Sequence, residues 1–363
     1  MPTELILGAA ILVALSLYVL MGGADFGGGV WDLLASGPRK REQRALIERA
    51  LGPIWEANHV WLILVVVLLF SVFPRAFAAI SIALHIPLTV FLIGVVFRGS
   101  AFTFRSYDSR GDEHQKRWGL LFSLASIVSP ILLGMIVGAI ASGEIRFVDG
   151  VVQSGFIAPW LGRFPLLVGL FALSLFAFLA AVYLANEAGS PGSAEKKGGS
   201  PDPAEKRTNW PALADDFRRR ALISGAVVGL CALVAFTLSF HDAPRIREGL
   251  TERPWTWPLH VATAIAASTA FYALYRRRFA LARFAAAAQT TLILLGWAAS
   301  QYPYLVVPDL TIDNAAANPR TQVLVLVALA AGSVLLFPSL FVLYRIFKGG
   351  RAFRIFDRGD KSE

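Results

Sequence analysis

Charge and cysteine are what this chain has least of. Only 16% of its 363 residues are Asp, Glu, Lys or Arg, and there is one cysteine. With 56% hydrophobic residues and a mean hydropathy of +0.58, the composition excludes an ordinary water-soluble domain, in which about a quarter of residues are charged. A single cysteine excludes a disulfide framework and a thiolate metal site. Cys231 lies inside an apolar run and reads as a small buried hydrophobe. No basic residue precedes the first apolar run, Leu5 to Met21. The run therefore lacks the charged start of a secretory signal and is read as a membrane span. The stretch GGADFGGGVWD lacks the lysine, flanking strand and spacing of a phosphate-binding loop. A nucleic-acid footprint needs a soluble basic surface, and none is visible.

What the chain has is length of apolar sequence. Runs of about 20 apolar residues span the hydrocarbon of a bilayer. The windows are Leu5–Gly22, Pro53–Phe73, Ala76–Phe97, Trp118–Ser142, Pro159–Leu184, Arg220–Phe240, Pro258–Tyr275, Phe279–Ser300 and Gln322–Phe347. They predict an all-α, polytopic transmembrane helix bundle of about nine spans. Aromatic residues make up 12%, in keeping with tryptophans that anchor at membrane interfaces.

The basic residues fix an orientation. With the N-terminus outside, 27 of the 34 Lys and Arg fall on inward segments and 7 on outward ones. Cytoplasmic loops carry the excess of Lys and Arg, so an N-out, C-in topology is expected, and the net charge of +9 is a topology signal. Residues 186–211, NEAGSPGSAEKKGGSPDPAEKRTNWP, are rich in Gly, Pro, Ser and mixed charge and read as a flexible cytoplasmic linker. It divides a five-helix membrane half, 1–185, from a four-helix half, 212–347. The basic tail, 348–363, is expected at the cytoplasmic membrane surface, where anionic lipid attracts it.

Polar residues near the membrane are the candidates for chemistry. An intramembrane acid costs several kcal/mol and is by default a candidate for proton or ion handling. Asp25 follows the first window on the inward side, among glycines that permit a tight turn or a close helix approach. A solvated acid at a helix end and a functional acid are equally compatible with its position. Glu56 sits in PIWEANHVWLI about one turn in from Pro53. A first-turn acid is favoured by the helix dipole alone, yet His59 at i+3 shares its face and Asn58 adjoins it. A glutamate and a histidine within hydrogen-bond reach exchange a proton readily, with Asn58 orienting a water. Trp55 and Trp61 flank this group as interface anchors or packing residues. Arg98 ends the third window on the same inward side, where snorkelling to headgroups is the plain alternative. One cation between Asp25 and Glu56 would offset the cost of burying all three.

A bis-histidine haem needs two facing histidines at matched depth. By the windows, His85 lies mid-membrane while His59 and His260 lie nearer opposite faces, and no c-type attachment motif exists. Helix-contact roles are expected for them, and solvated positions for His114 and His241.

The set GGADFGGGVWDLL, PIWEANHVWLI, FPRAF, FRGSAFTFR, DFRRRAL and YPYLVVP, in that order, resembles subunit II of cytochrome bd quinol oxidases. The resemblance is dense from Leu20 to Arg105 and patchy beyond. It implies one subunit of a bacterial inner-membrane terminal oxidase that carries electrons from quinol to oxygen and forms water. It implies that haems b and d and the quinol-oxidising loop reside on a partner, subunit I. No cofactor or metal is then ligated by this chain, and the complex allows a small accessory subunit and bound membrane lipid. It further implies a cytoplasmic proton route through Glu56, Asp25 and Arg98, with Trp55, Asn58 and His59 beside it. Two departures stand out. Thr103, between Phe102 and Phe104, occupies a place where many members carry an acid, so the route there is expected to use water or the hydroxyl. The segment Asp309 to Arg320 is shorter than usual. The competing class is a proton-coupled secondary transporter, in which acids and an arginine near broken helices bind substrate; a structural membrane scaffold is a third.

Overall fold

A computed structural model describes residues 2–51, 55–107, 112–189 and 209–348. The elements are α1 (Thr3–Leu33), α2 (Lys40–Leu51), α3 (Trp55–Val72), α4 (Pro74–Ala83), α5 (His85–Tyr107), α6 (Asp112–Ser142), the hairpin β1 (Phe147–Val148) and β2 (Val151–Val152), and α7 (Arg163–Gly189). There follow α8 (Trp210–Asp242), α9 (Pro244–Thr251), α10 (Thr256–Tyr275), α11 (Phe279–Gln301), the hairpin β3 (Tyr304–Val306) and β4 (Leu310–Thr311), α12 (Ile312–Ala315) and α13 (Pro319–Lys348). The protein is an all-α polytopic helix bundle. α1 lies at its centre, packed on α3, α6 and α7, while α7 also carries α8 and α11.

Apolar packing is divided between two ends. At one, Leu7 of α1 meets Val72 and Phe73, Ala139 of α6 and the hairpin residues Val306 and Leu310. At the other, Leu46 and Ile47 of α2 pack with Trp31, Leu184, Leu213 and the alanine-rich contact of α10 and α11. α2 lies amphipathically against this second end. Its Gln43, Leu46 and Ile47, spaced i, i+3 and i+4, are buried while Lys40, Arg41, Glu48 and Arg49 are exposed.

Each expected window falls on a helix, but the helices differ from the windows. The first was expected to end at Gly22, whereas α1 continues to Leu33. Glycine in a helix interior costs about 1 kcal/mol relative to alanine. That cost is offset here by neighbours seated on the bare backbone. A Cβ on Gly27 would lie 2.0 Å from the Phe176 carbonyl oxygen, and one on Gly29 would lie 2.2 Å from Ser126 Cβ.

The third window, Ala76 to Phe97, is two helices. Pro74 opens α4 at a bend of 116° from α3, and α4 stops at Ala83. Pro87, in the first turn of α5, has no N–H to return to the Ala83 carbonyl, so the ladder breaks at Leu84. Among the described residues, seven helices are long and apolar enough to cross a membrane, or eight if the bent α3–α4 pair is one span. α10, the seventh window, is not among the seven. The expected linker is trimmed at both ends, since α7 runs to Gly189 and Asn209 caps α8 by accepting the Ala212 N–H at 3.2 Å. Residues 190–208, within the linker, and 349–363, within the tail, lie outside the described residues.

Candidate functional site

On α1, Tyr18, Asp25 and Asp32 recur every seven residues, with Gly22 and Gly29 between them. Seven residues are almost two helical turns, so these side chains share one face. All three are enclosed, at 0%, 5% and 1% exposure respectively. An ionised carboxylate removed from water costs several kcal/mol unless hydrogen bonds or opposite charge compensate.

For Asp25 both are present. Asn58 of α3 donates from Nδ2 to Asp25 Oδ2. The field of Arg98, on α5, reaches both Asp25 and Tyr18. Arg98 is 2% exposed and donates from Nε to Ser126 Oγ of α6 at 3.2 Å. Its guanidinium lies 4.9 Å from the Phe26 ring centre and 5.2 Å from that of Phe122, a cation–π clamp. The ring of His59 lies 5.9 Å from Tyr18 and 6.2 Å from Phe26. Asp25, Asn58, His59 and Arg98, from α1, α3 and α5, therefore converge around Phe26.

Asp25 is accordingly not a solvated acid at a helix end, since α1 continues past it and α3 covers it. Arg98 does not snorkel; it lies inside α5 and is roofed by two aromatic rings. Thr103 is not drawn into this group. It is exposed, and its hydroxyl donates to the Gly99 carbonyl of its own helix at 3.1 Å. The backbone places Glu56 in the first turn of α3, three residues before His59, while the side chains of Trp55 and Glu56 lie outside the described residues. Trp61 is buried and packs toward Phe337 of α13 at 6.4 Å.

The other histidines are engaged elsewhere. His85 opens a candidate membrane span rather than lying inside one. The break at Leu84 puts it at the start of α5, exposed, with Nδ1 3.0 Å from the Ile82 carbonyl and its ring edge-on to Phe156. His260 Nε2 lies 2.9 Å from the Leu250 carbonyl. His241 stacks edge-on to Phe240. The side chain of His114 lies outside the described residues. His85, His260 and His241 thus make their described contacts in separate places. Among the described residues no three of His, Cys, Asp and Glu group as a metal site.

Sequence reasoning missed Tyr18, Asp32, Ser123 and Ser126. The seven-residue spacing along α1 was the available signal. Asp32 accepts a long hydrogen bond from Ser123 Oγ of α6 at 3.4 Å and lies 3.8 Å from Arg44 Nε of α2. Arg44 also donates twice to the Asp32 carbonyl, each at 3.2 Å. At the same end, Arg39 holds Asp216 by a bidentate pair at 2.7 and 2.8 Å, and Gln43 donates to the same carboxylate at 3.1 Å. Arg220 donates to Gln43 at 2.8 Å and lies over Trp31 at 5.4 Å, so the DFRRRAL motif ties α8 to α1 and α2.

The sequence model of the family described as "Cytochrome bd terminal oxidase subunit II" matches residues 3–197 and 205–347. Among the relatives is a protein of Bacillus subtilis described as a putative cytochrome bd menaquinol oxidase subunit II, 23% identical over 91% of both chains. Another is a cytochrome bd-I ubiquinol oxidase subunit 2 of Escherichia coli, 26% identical over 46% of this chain and 44% of that one. A chain in the solved structure of the bd oxidase from Geobacillus thermodenitrificans shares the fold. Its TM-score is 0.74 at 22% identity, covering 96% of this chain and 99% of that one. A family match that covers nearly all of the chain from residue 3 to residue 347 leads to one assignment: the chain belongs to the cytochrome bd terminal oxidase subunit II family.

Proposed function

We propose that this chain is the subunit of a bd-type quinol oxidase that carries protons from the cytoplasm toward a haem-bearing subunit I in a bacterial inner membrane. The observation that carries the reading is the convergence of Asp25, Asn58 and Arg98 from three helices in a buried position. The haems of the complex supply electron transfer to oxygen. Haems b and d are assigned to the partner subunit, as the family resemblance implies.

Oxygen reduction to water consumes protons, so a buried carboxylate route must collect them without carrying an uncompensated charge through hydrocarbon. Glu56, in the first turn of α3, is the entry group on the inward side. Asn58 orients the Asp25 carboxylate by hydrogen bonding, and Arg98 supplies the fixed positive charge that makes its ionised form tolerable. His59, between Tyr18 and Phe26, adjoins the same route. Membrane orientation follows the basic-residue count, N-out and C-in.

The test is Glu56→Gln in the whole oxidase. Oxygen consumption slows while the haem spectrum stays that of wild type; normal turnover and proton uptake would overturn the assignment. The bent α3–α4 pair is the feature that favours a proton-coupled transporter. Its break at Phe73 belongs to the apolar cluster at one end of the bundle, away from the buried charges, and substrate uptake by the isolated chain would be needed to support that reading.

A further inference from the structure

Asp32 is the one acid of the GGADFGGGVWD stretch that the route above leaves unused. It is more fully enclosed than Asp25, at 1% against 5% exposure. Seven residues separate the two, which puts them on one face of α1 about 10 Å apart along the axis.

Side chains from other helices lie along that interval. Ser123 Oγ donates to Asp32 Oδ2. Ser126, one turn further along α6, accepts the Arg98 Nε–H, and the Arg98 charge reaches Asp25. Gly29 is what lets this happen. It lies between the two acids on the same face, and any side chain there would collide with Ser126.

At the other end, the Arg44 side chain is 34% exposed and its Nε lies 3.8 Å from the Asp32 carboxylate, whose side chain is 2% exposed. One guanidinium thus joins a buried acid to the bundle end that carries α2. Among the described residues, Arg220 of α8 lies over Trp31, the neighbour of Asp32 in sequence, and the Arg98 guanidinium lies on Ser126 at the inner end of the interval. A purely structural acid would need only its tie to α2. Here two hydroxyls, Ser123 and Ser126, stand one turn apart on α6 between Asp32 and Arg98, the Ser126 hydroxyl resting on the Phe122 carbonyl at 2.7 Å while it accepts from Arg98.

We propose that Asp32 is a proton-carrying station of this subunit, loaded beneath Arg44 and discharging along the Ser123–Ser126 face of α6 toward Arg98 and Asp25. An Asp32 oxygen takes up one proton from the aqueous side and gives it to the Ser123 hydroxyl, which gives its own proton to the Ser126 hydroxyl, which in turn gives its own to the Asp25 carboxylate. Each hydroxyl ends as it began, Asp32 returns to carboxylate, and no oxidant or further reactant is required. The proposal rests on the proton-route reading and adds a second entry, parallel to Glu56.

The experiment compares Asp32→Asn, Asp32→Glu, Ser123→Ala and Glu56→Gln in the complete oxidase. Quinol-driven oxygen consumption, proton uptake and the haem spectrum are recorded in H2O and D2O. Asp32→Asn, which keeps a side chain of the same shape, is expected to lower turnover by about tenfold or more. The quinol KM and haem spectrum should be unchanged and the solvent isotope effect enlarged; Asp32→Glu should restore most of the rate. Ser123→Ala, which leaves the carboxylate and Arg44 in place, should slow turnover with the same isotope signature, and it carries the test if Asp32→Asn does not assemble. Normal turnover in Asp32→Asn and Ser123→Ala beside a slow Glu56→Gln overturns the station and leaves the route standing. Normal turnover in all of them overturns the route as well. Slow Asp32→Asn beside normal Glu56→Gln supports the station and removes Glu56 as the entry group.

Discussion

Asn58 donates its side-chain amide to the carboxylate of Asp25, joining α3 to α1 inside the bundle. Both residues are buried. The pair fixes the position of the acid at the point where the Arg98 guanidinium crosses Phe26. Three helices are tied there by groups that would each be costly alone.

Removing the amide should therefore cost both stability and turnover. Asn58→Leu leaves a buried carboxylate short of one donor, a loss of about 1–3 kcal/mol. The melting temperature of the purified complex should fall, and quinol oxidation should slow more than the haem content does. Asn58→Gln, which keeps the donor on a longer arm, is expected to fall between the two.

Arg98 tests whether charge alone is enough. Arg98→Lys keeps the charge but loses the flat contact with Phe26 and Phe122 and the Nε–H to Ser126. Reduced turnover with retained assembly is expected. Arg98→Met leaves Asp25 with an uncompensated buried charge, at a cost of about 3–5 kcal/mol; loss of assembled oxidase on a native gel checks it.

Close helix approach makes its own prediction. Gly27→Ala places a methyl group against the Phe176 carbonyl and the Ala180 side chain and must push α7 from α1. Overpacking of this kind costs about 1–3 kcal/mol or more. Gly229→Ala, where nothing lies within 4 Å of the added carbon, should be neutral or slightly stabilising, because alanine is the better helix former. Thermal unfolding of the two variants side by side separates packing from helix propensity.

The end of the bundle opposite Asp32 carries a pH-sensitive clamp. Arg146 grips Asp309 through two hydrogen bonds at 3.0 and 3.2 Å, and the Phe147 N–H donates to the same carboxylate at 2.8 Å. Partial burial alone would raise the Asp309 pKa, but these donors outweigh it and hold the carboxyl below its usual range. With the folded value depressed, the stabilising contribution is complete above the unfolded pKa of about 3.9 and is lost as pH falls through the folded value. Wild type should thus be more stable than Asp309→Asn by a constant margin from neutral pH down to about 5, and the margin should shrink below about 4. Urea titrations at a series of pH values check this.

The helical bundle was legible because hydrocarbon imposes a length and a composition on every span. The apolar windows located the helices from the sequence, and the motif from Pro53 to Ile63 located Asn58 and His59. Helix ends were less legible. Glycines that read as the end of α1 are interior positions, since their destabilising effect is reversed by contacts with α6 and α7. Pro87 divides what read as one span because a missing N–H breaks the ladder between α4 and α5, and His85 then opens α5 instead of lying within a helix. Asp32, Ser123 and Ser126 went unread because a serine on an apolar helix has no signature until the facing helix is placed.

By itself, then, the sequence determined the membrane class and the family motifs and singled out Asp25, Glu56 and Arg98 as candidates, since composition and short-range spacing follow directly from residue order. Only the tertiary structure decided that Asp25 and Arg98 are buried neighbours and that Asp32 lies on the same face of α1. Burial and pairing are relations between helices distant in sequence, and their energies exist only once the glycines of α1 have let those helices meet.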